Sequence, residues 1–140
     1  GHGVNDKISE LESSIGLTLL EPHTNYTNHL CSILDAGVDI NGIAHVTGGG
    51  IVENLPRVLP SGCAASIQKG SWPVLDVFSA IQSIGSVSED EMFRAFNMGI
   101  GMIFIINEED VSAVSSALKD ISPTFKIGEI IAGNGEVKIR

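Results

Sequence analysis

One stretch constrains this chain more than any other: from Asn97 to Ile106 the sequence is nearly unbroken hydrophobe. Its apolar run, Met98 to Ile106, falls far short of the roughly 20 residues that a bilayer-spanning helix needs. A strand with both faces buried is the ordinary place for such a segment, because each face of a central strand requires apolar cover. Helical periods and shorter strands alternate around it. Thr24 to Ala36 sets Tyr26, Leu30, Ile33 and Leu34 at helical spacing, and Gly37 supplies a stop. Val74 to Ile84 carries Val74, Val77, Phe78, Ile81 and Ile84 on one face. Ser88-Glu89-Asp90-Glu91 has the form of a capping box that opens a helix to about Phe96, and Glu108 to Ile121 reads as a further helix. Ile51 to Leu59 predicts a short helix broken or kinked at Pro56. Ile40 to Val46, Cys63 to Gln68, Phe125 to Ile131 and Glu136 to Ile139 read as strands, the last two joined by a Gly133-Asn134-Gly135 turn. The expectation is an α/β (α+β) domain, a single mixed sheet covered by helices with Asn97–Ile106 at its centre.

Composition narrows the partners. The net charge is −9, from 17 acidic against 8 basic residues. So acidic a surface repels phosphate backbones, which argues against nucleic acid. A small phosphorylated ligand stays compatible, because backbone N–H groups bind phosphate without any lysine. Cys31 and Cys63 make no metal-ligand pair by spacing and read as reduced core thiols of a cytoplasmic protein. No signal peptide and no membrane segment is apparent. Gly1-His2 has the look of a tag remnant, and the pattern from Ile8 to Leu17 is weak. Residues 1–16 are therefore read as tag remnant and inter-domain linker, and 17–140 as the domain.

The densest chemical signal is Ala44-His45-Val46-Thr47-Gly48-Gly49-Gly50, a strand running into glycines and then a helix. That arrangement offers N–H groups to an anion, and a Cβ there would block close approach. A tight structural turn accounts for the same glycines. His45, at the strand end, reads either as facing a pocket or as a core histidine bonded to a carbonyl. Glu53 and Asn54 lie one turn on, within reach of whatever the loop holds; alternatively Glu53 favours a helix N-terminus and Asn54 faces solvent. Arg57 is suited to close on a phosphate or to form a surface ion pair. In Asn97-Met98-Gly99-Ile100-Gly101 the glycines imply close approach of a ligand or of another backbone. His23 and His29, which flank Tyr26, read as partly exposed and without a role.

Together, Ile43-Ala44-His45-Val46-Thr47-Gly48-Gly49-Gly50 and Glu53-Asn54-Leu55-Pro56-Arg57-Val58-Leu59-Pro60 closely resemble the signature of the phosphoribosylformylglycinamidine cyclo-ligase family. Glu91 to Met102 resembles that family's second block, and Trp72-Pro73, Lys126-Ile127-Gly128 and the closing strand also fit. The resemblance spans Leu17 to Arg140. It implies a C-terminal α/β domain whose N-terminal partner forms the homodimer and binds most of the ATP and Mg, with no cofactor or metal expected on the present fragment. It implies a small phosphorylated purine precursor as substrate, formylglycinamidine ribonucleotide, closed to aminoimidazole ribonucleotide. His45 and Asn54 are then the catalytic candidates. Thr47, Gly48, Gly49, Gly50, Glu53, Arg57, Asn97 and Gly99 are the candidates for binding substrate or phosphate. One segment departs from the family's Pro-Thr-Arg-Ile-Tyr type: here it reads Pro22-His23-Thr24-Asn25-Tyr26, without the arginine. Two alternatives stand beside this reading. One is the C-terminal domain of a related ATP-using synthetase (formylglycinamidine synthetase, selenophosphate synthetase or a hydrogenase-maturation protein). The other is a stand-alone module that binds a phosphorylated metabolite.

Overall fold

Backbone punctuation sets the ends of most elements, and the computed structural model describes all 140 residues. Helix α1 (Ile15–Leu19) begins where Ser14 Oγ accepts the Leu17 N–H. Helix α2 (Thr27–Asp35) stops before Gly37, which takes φ +75°. Strand β1 (Ile40–His45) leads to the glycines, and α3 (Gly50–Asn54) follows them. Pro56 lacks an N–H, so α3 tightens into a 3₁₀ turn over Leu55–Val58. Strand β2 (Cys63–Ile67) and helices α4 (Asp76–Gly85) and α5 (Glu89–Ala95) come next. Ser88 Oγ accepts from the Glu91 N–H at 3.4 Å, the first half of a capping box. Strand β3 (Met102–Ile106) passes through a 3₁₀ turn into α6 (Val111–Leu118), and β4 (Gly128–Ala132) and β5 (Val137–Ile139) close the chain.

The α/β class holds, but the strands form two small sheets rather than the single mixed sheet expected from sequence. β1 and β3 pair antiparallel, with Ala44 opposite Ile103 and His45 opposite Met102. The other sheet has the order β4-β2-β5, antiparallel to β4 and parallel to β5. The Gly133-Asn134-Gly135 turn therefore does not close a hairpin. Gly133 N–H donates to Gly62 O and Gly135 N–H to Cys63 O, so the chain wraps the start of β2 and returns on its other side.

Asn97–Ile106 is also corrected. Only Met102–Ile106 is strand, and its one partner is β1. The residues before it form a turn, with Met98 at φ +51° and Gly99 at φ +94°. They are apolar because they are buried: Met98 and Ile100 lie in the main core, and Trp72 Nε1–H donates to Met98 O at 2.9 Å. That core gathers Val46, Ile51, Leu55, Ile67, Met92 and their neighbours beneath the glycine loop. A smaller one joins Ile33 and Val38 to Val114 and Leu118, between α2 and α6. Both thiols are free, but Cys31 is exposed on α2 rather than in a core. No helix is long and apolar enough to cross a membrane.

Candidate functional site

The glycine loop is tethered at both ends. At its start Val46 N–H donates to Gly101 O at 2.9 Å, which lays the Asn97–Gly101 turn against the loop. At its end Gly50 presses on the C-terminal end of α5: a Cβ there would run into the carbonyl oxygen of Phe93 and come within 2.7 Å of that of Phe96. Each glycine answers a different demand. Gly50 is required by packing. Gly49 sits at φ +96°, where a Cβ would also stand 2.8 Å from Glu53 Oε2. Gly48 has neither constraint, and the space in front of it is open.

Asn54 is buried below this loop. Its Nδ2 donates to Gly50 O at 2.8 Å and to Gly48 O at 3.1 Å, and lies 3.5 Å from Thr47 O. The carbonyls are thus gathered toward the protein. The N–H groups of Thr47, Gly48 and Gly49 have no protein acceptor, and Thr47 and Gly48 are exposed. Three free donors on an exposed loop suit an anion, as in backbone nests.

Of the other sequence candidates, Glu53 pairs with Arg94 at 3.5 Å, an exposed contact worth little in itself. Arg57 is exposed and has no carboxylate partner. Asn97 Oδ1 accepts from Gly99 N–H at 3.0 Å and holds the neighbouring turn in shape. His45 is exposed, not a core residue, and its Nε2 lies 3.1 Å from His23 Nε2. His23 meets Tyr26 edge-on, with ring centroids 5.6 Å apart, and Tyr26 lies against the position where a Cβ on Gly101 would be. A cavity of about 380 Å³ opens here, lined by His23, Thr24, Asn25, Tyr26, His45 and Met102 among others. It reaches the loop segment through His45 alone. A second cavity, about 400 Å³ and mostly apolar, lies between β3, α6 and β4 and shares no residue with the glycine loop.

Over residues 2–140 the chain matches the family described as AIR synthase related protein, C-terminal domain. It belongs to that family. Among its relatives, the phosphoribosylformylglycinamidine cyclo-ligase of Geotalea daltonii is 44% identical over 131 residues, 93% of this chain and 37% of that protein. The cyclo-ligase of Caldanaerobacter subterraneus is 43% identical over 96% of this chain and 40% of its own length, and that of Brevibacillus brevis 38% over 98% and 40%. The chain spans about two fifths of the length of these curated relatives.

In this AIR synthase related domain the fold brings His45, Thr47–Gly50 and Asn54 together, sets the Asn97–Gly101 turn beside them, and leaves Arg57 unpaired one turn on. From sequence alone, His23 and His29 read as partly exposed and without a role. His23 instead touches His45, and His29 is buried with Nε2 2.9 Å from Ser122 Oγ. The family resemblance implies magnesium mainly on an N-terminal domain, and the residues present here offer it no ready-made site. Mg²⁺ wants carboxylate oxygens, and no three His, Cys, Asp or Glu side chains converge.

Proposed function

We propose that this chain is the C-terminal domain of a phosphoribosylformylglycinamidine cyclo-ligase acting in cytoplasmic purine synthesis. It works with an N-terminal domain, which the resemblance implies and for which the unmatched length of the relatives leaves room. Thr47, Gly48, Gly49 and Gly50, with His45 and Asn54, line its side of the substrate cleft. One observation supports the reading above the others: the N–H groups of Thr47, Gly48 and Gly49 lack acceptors, while Asn54 holds the loop's carbonyls inward. In the reaction implied by the resemblance, ATP phosphorylates the formyl amide oxygen of formylglycinamidine ribonucleotide. The amidine nitrogen then attacks that carbon, and phosphate departs as the imidazole ring closes.

This domain's share is positioning and charge stabilisation. The free donors receive a phosphate or the developing negative charge. Gly48 leaves room for that approach, and Arg57 offers an unpaired cation nearby in sequence. Asn97 and Gly99 keep the adjoining turn in place. His45 is exposed at the cleft margin, where it meets bound substrate. ATP, Mg and the contacts of the homodimer belong mainly to the N-terminal domain.

The test uses two proteins. The chain alone should form no aminoimidazole ribonucleotide, whereas its fusion to the N-terminal portion of the Geotalea daltonii relative should turn over. In the fusion, Gly48→Val keeps the backbone N–H but puts a side chain into the open space in front of the loop. Folding should therefore survive while the ligand is kept from the three donors, and the rate should fall by on the order of 10²–10³, as much as loss of an oxyanion-type donor costs. Turnover by the chain alone at the fusion's rate overturns the domain assignment. A Gly48→Val fusion with the parent's rate and thermal midpoint overturns the site.

A further inference from the structure

His23 precedes α2 and His45 ends β1, 22 residues later, yet their Nε2 atoms meet at 3.1 Å. Both side chains are exposed, and neither makes an ion pair. Two neutral imidazoles in this position satisfy each other with one hydrogen only. One ring donates from Nε2, and the other must keep its hydrogen on Nδ1. A metal ion uses both lone pairs. Two imidazoles on one tetrahedral ion, with bonds of about 2.0–2.1 Å, place their nitrogens roughly 3.4 Å apart. Small side-chain rotations therefore convert this contact into a chelate.

We propose that His23 and His45 form a two-imidazole site for a divalent transition-metal ion such as Zn²⁺, with its remaining positions open to water. Imidazole nitrogens select zinc, copper or nickel and are poor ligands for magnesium. No cationic side chain lines the adjoining cavity of about 380 Å³, so nothing there repels an ion, and the net charge of −9 favours cations. His29 stands apart from the site, buried and bonded to Ser122. The inference does not depend on the function proposed above.

Calorimetric titration of the chain with Zn²⁺, in a buffer that does not chelate metal, tests it. A His2→Ala background removes the imidazole near Asp6 at the N-terminus, which could itself take up metal. One ion should bind per chain, and Mg²⁺ should give no signal. His23→Thr and His45→Ala should each weaken zinc binding by at least about tenfold, since even groups that only support a metal ligand commonly carry that much. Imidazole NMR of the background protein supplies a readout that does not depend on how a variant folds: zinc should shift the ring signals of His23 and His45 and spare those of His29. The proposal fails if no zinc binds, if folded variants bind as tightly as the background, or if the two ring signals do not move.

Discussion

Asn54 does with one buried amide what the glycines cannot do alone: it fixes where the loop's carbonyls point. Its contacts to Gly50 O at 2.8 Å and Gly48 O at 3.1 Å leave with the side chain in Asn54→Ala. An acceptor stranded in a buried site costs about 1–3 kcal/mol. Denaturant unfolding of Asn54→Ala should show a loss of that size, and Asn54→Asp a larger one, because a carboxylate would face the same carbonyls. A loss below about 0.5 kcal/mol, the range of ordinary surface changes, would contradict this role. The Thr-Gly-Gly-Gly…Asn order was legible in sequence because glycine loops and their neighbours are local. What distinguishes Gly48, Gly49 and Gly50 was not, since it depends on Glu53 and on the α5 carbonyls that surround them. His23 was missed for the same reason. Its meeting with His45 is tertiary, and a histidine before a helix carries no signal of what lies across the gap.

At the scale of elements, most helices and strands were readable from period and punctuation, while their pairing was not. Ser88 and Gly37 act within one turn of themselves, so α5 and α2 fall near where the sequence places them. The Asn97–Gly101 turn misled because burial makes it as apolar as a strand, and only Met98 and Gly99 at positive φ reveal the difference. The wrap from β4 to β5 depends on contacts with Gly62 and Cys63, far back in the chain. That wrap contains a titratable brace. Glu136 accepts the Asn134 N–H at 2.7 Å, and this bond, then Glu136's own N–H and then Lys138, pull its carboxyl down to about 2 from the ordinary 4.5. Since the folded value is the lower one, the unfolded chain binds more protons between these limits. The stabilisation is complete above about pH 4.5, falls away as pH drops, and is gone below about 2. Glu136→Gln should therefore melt lower than the parent at neutral pH, and the gap should close on acidification. Parallel melting curves from pH 7 to pH 2 check this; a gap that stays constant would rule the brace out.

For the whole molecule, the distribution of burial decides which part of the chain the fold requires. Every buried residue lies between His29 and Leu118, and the closing strands β4 and β5 complete the sheet around β2. The opening residues contribute none of this. Helix α1 buries nothing, and Leu17, Leu19 and Leu20 are 65%, 63% and 78% exposed. The bonds from Gly16 N–H to Val4 O and from Ile15 N–H to Asp6 O tie the first segment mainly to itself. Local links of that kind, with no apolar burial behind them, open at low cost and separately from the global transition. A chain shortened to begin at Leu17 should keep one cooperative transition. Its thermal midpoint should stay within about 4 °C of the parent's, the shift expected for a change below about 1 kcal/mol in a domain of this size. Calorimetry of the two lengths measures it directly, and hydrogen exchange of the longer one should find residues 1–16 unprotected while β1 and β2 stay protected. A fall of ten degrees or more, or protection across residues 1–16 equal to that of β1, would mean that the segment is part of the cooperative fold. The reading of residues 1–16 as linker would then be wrong.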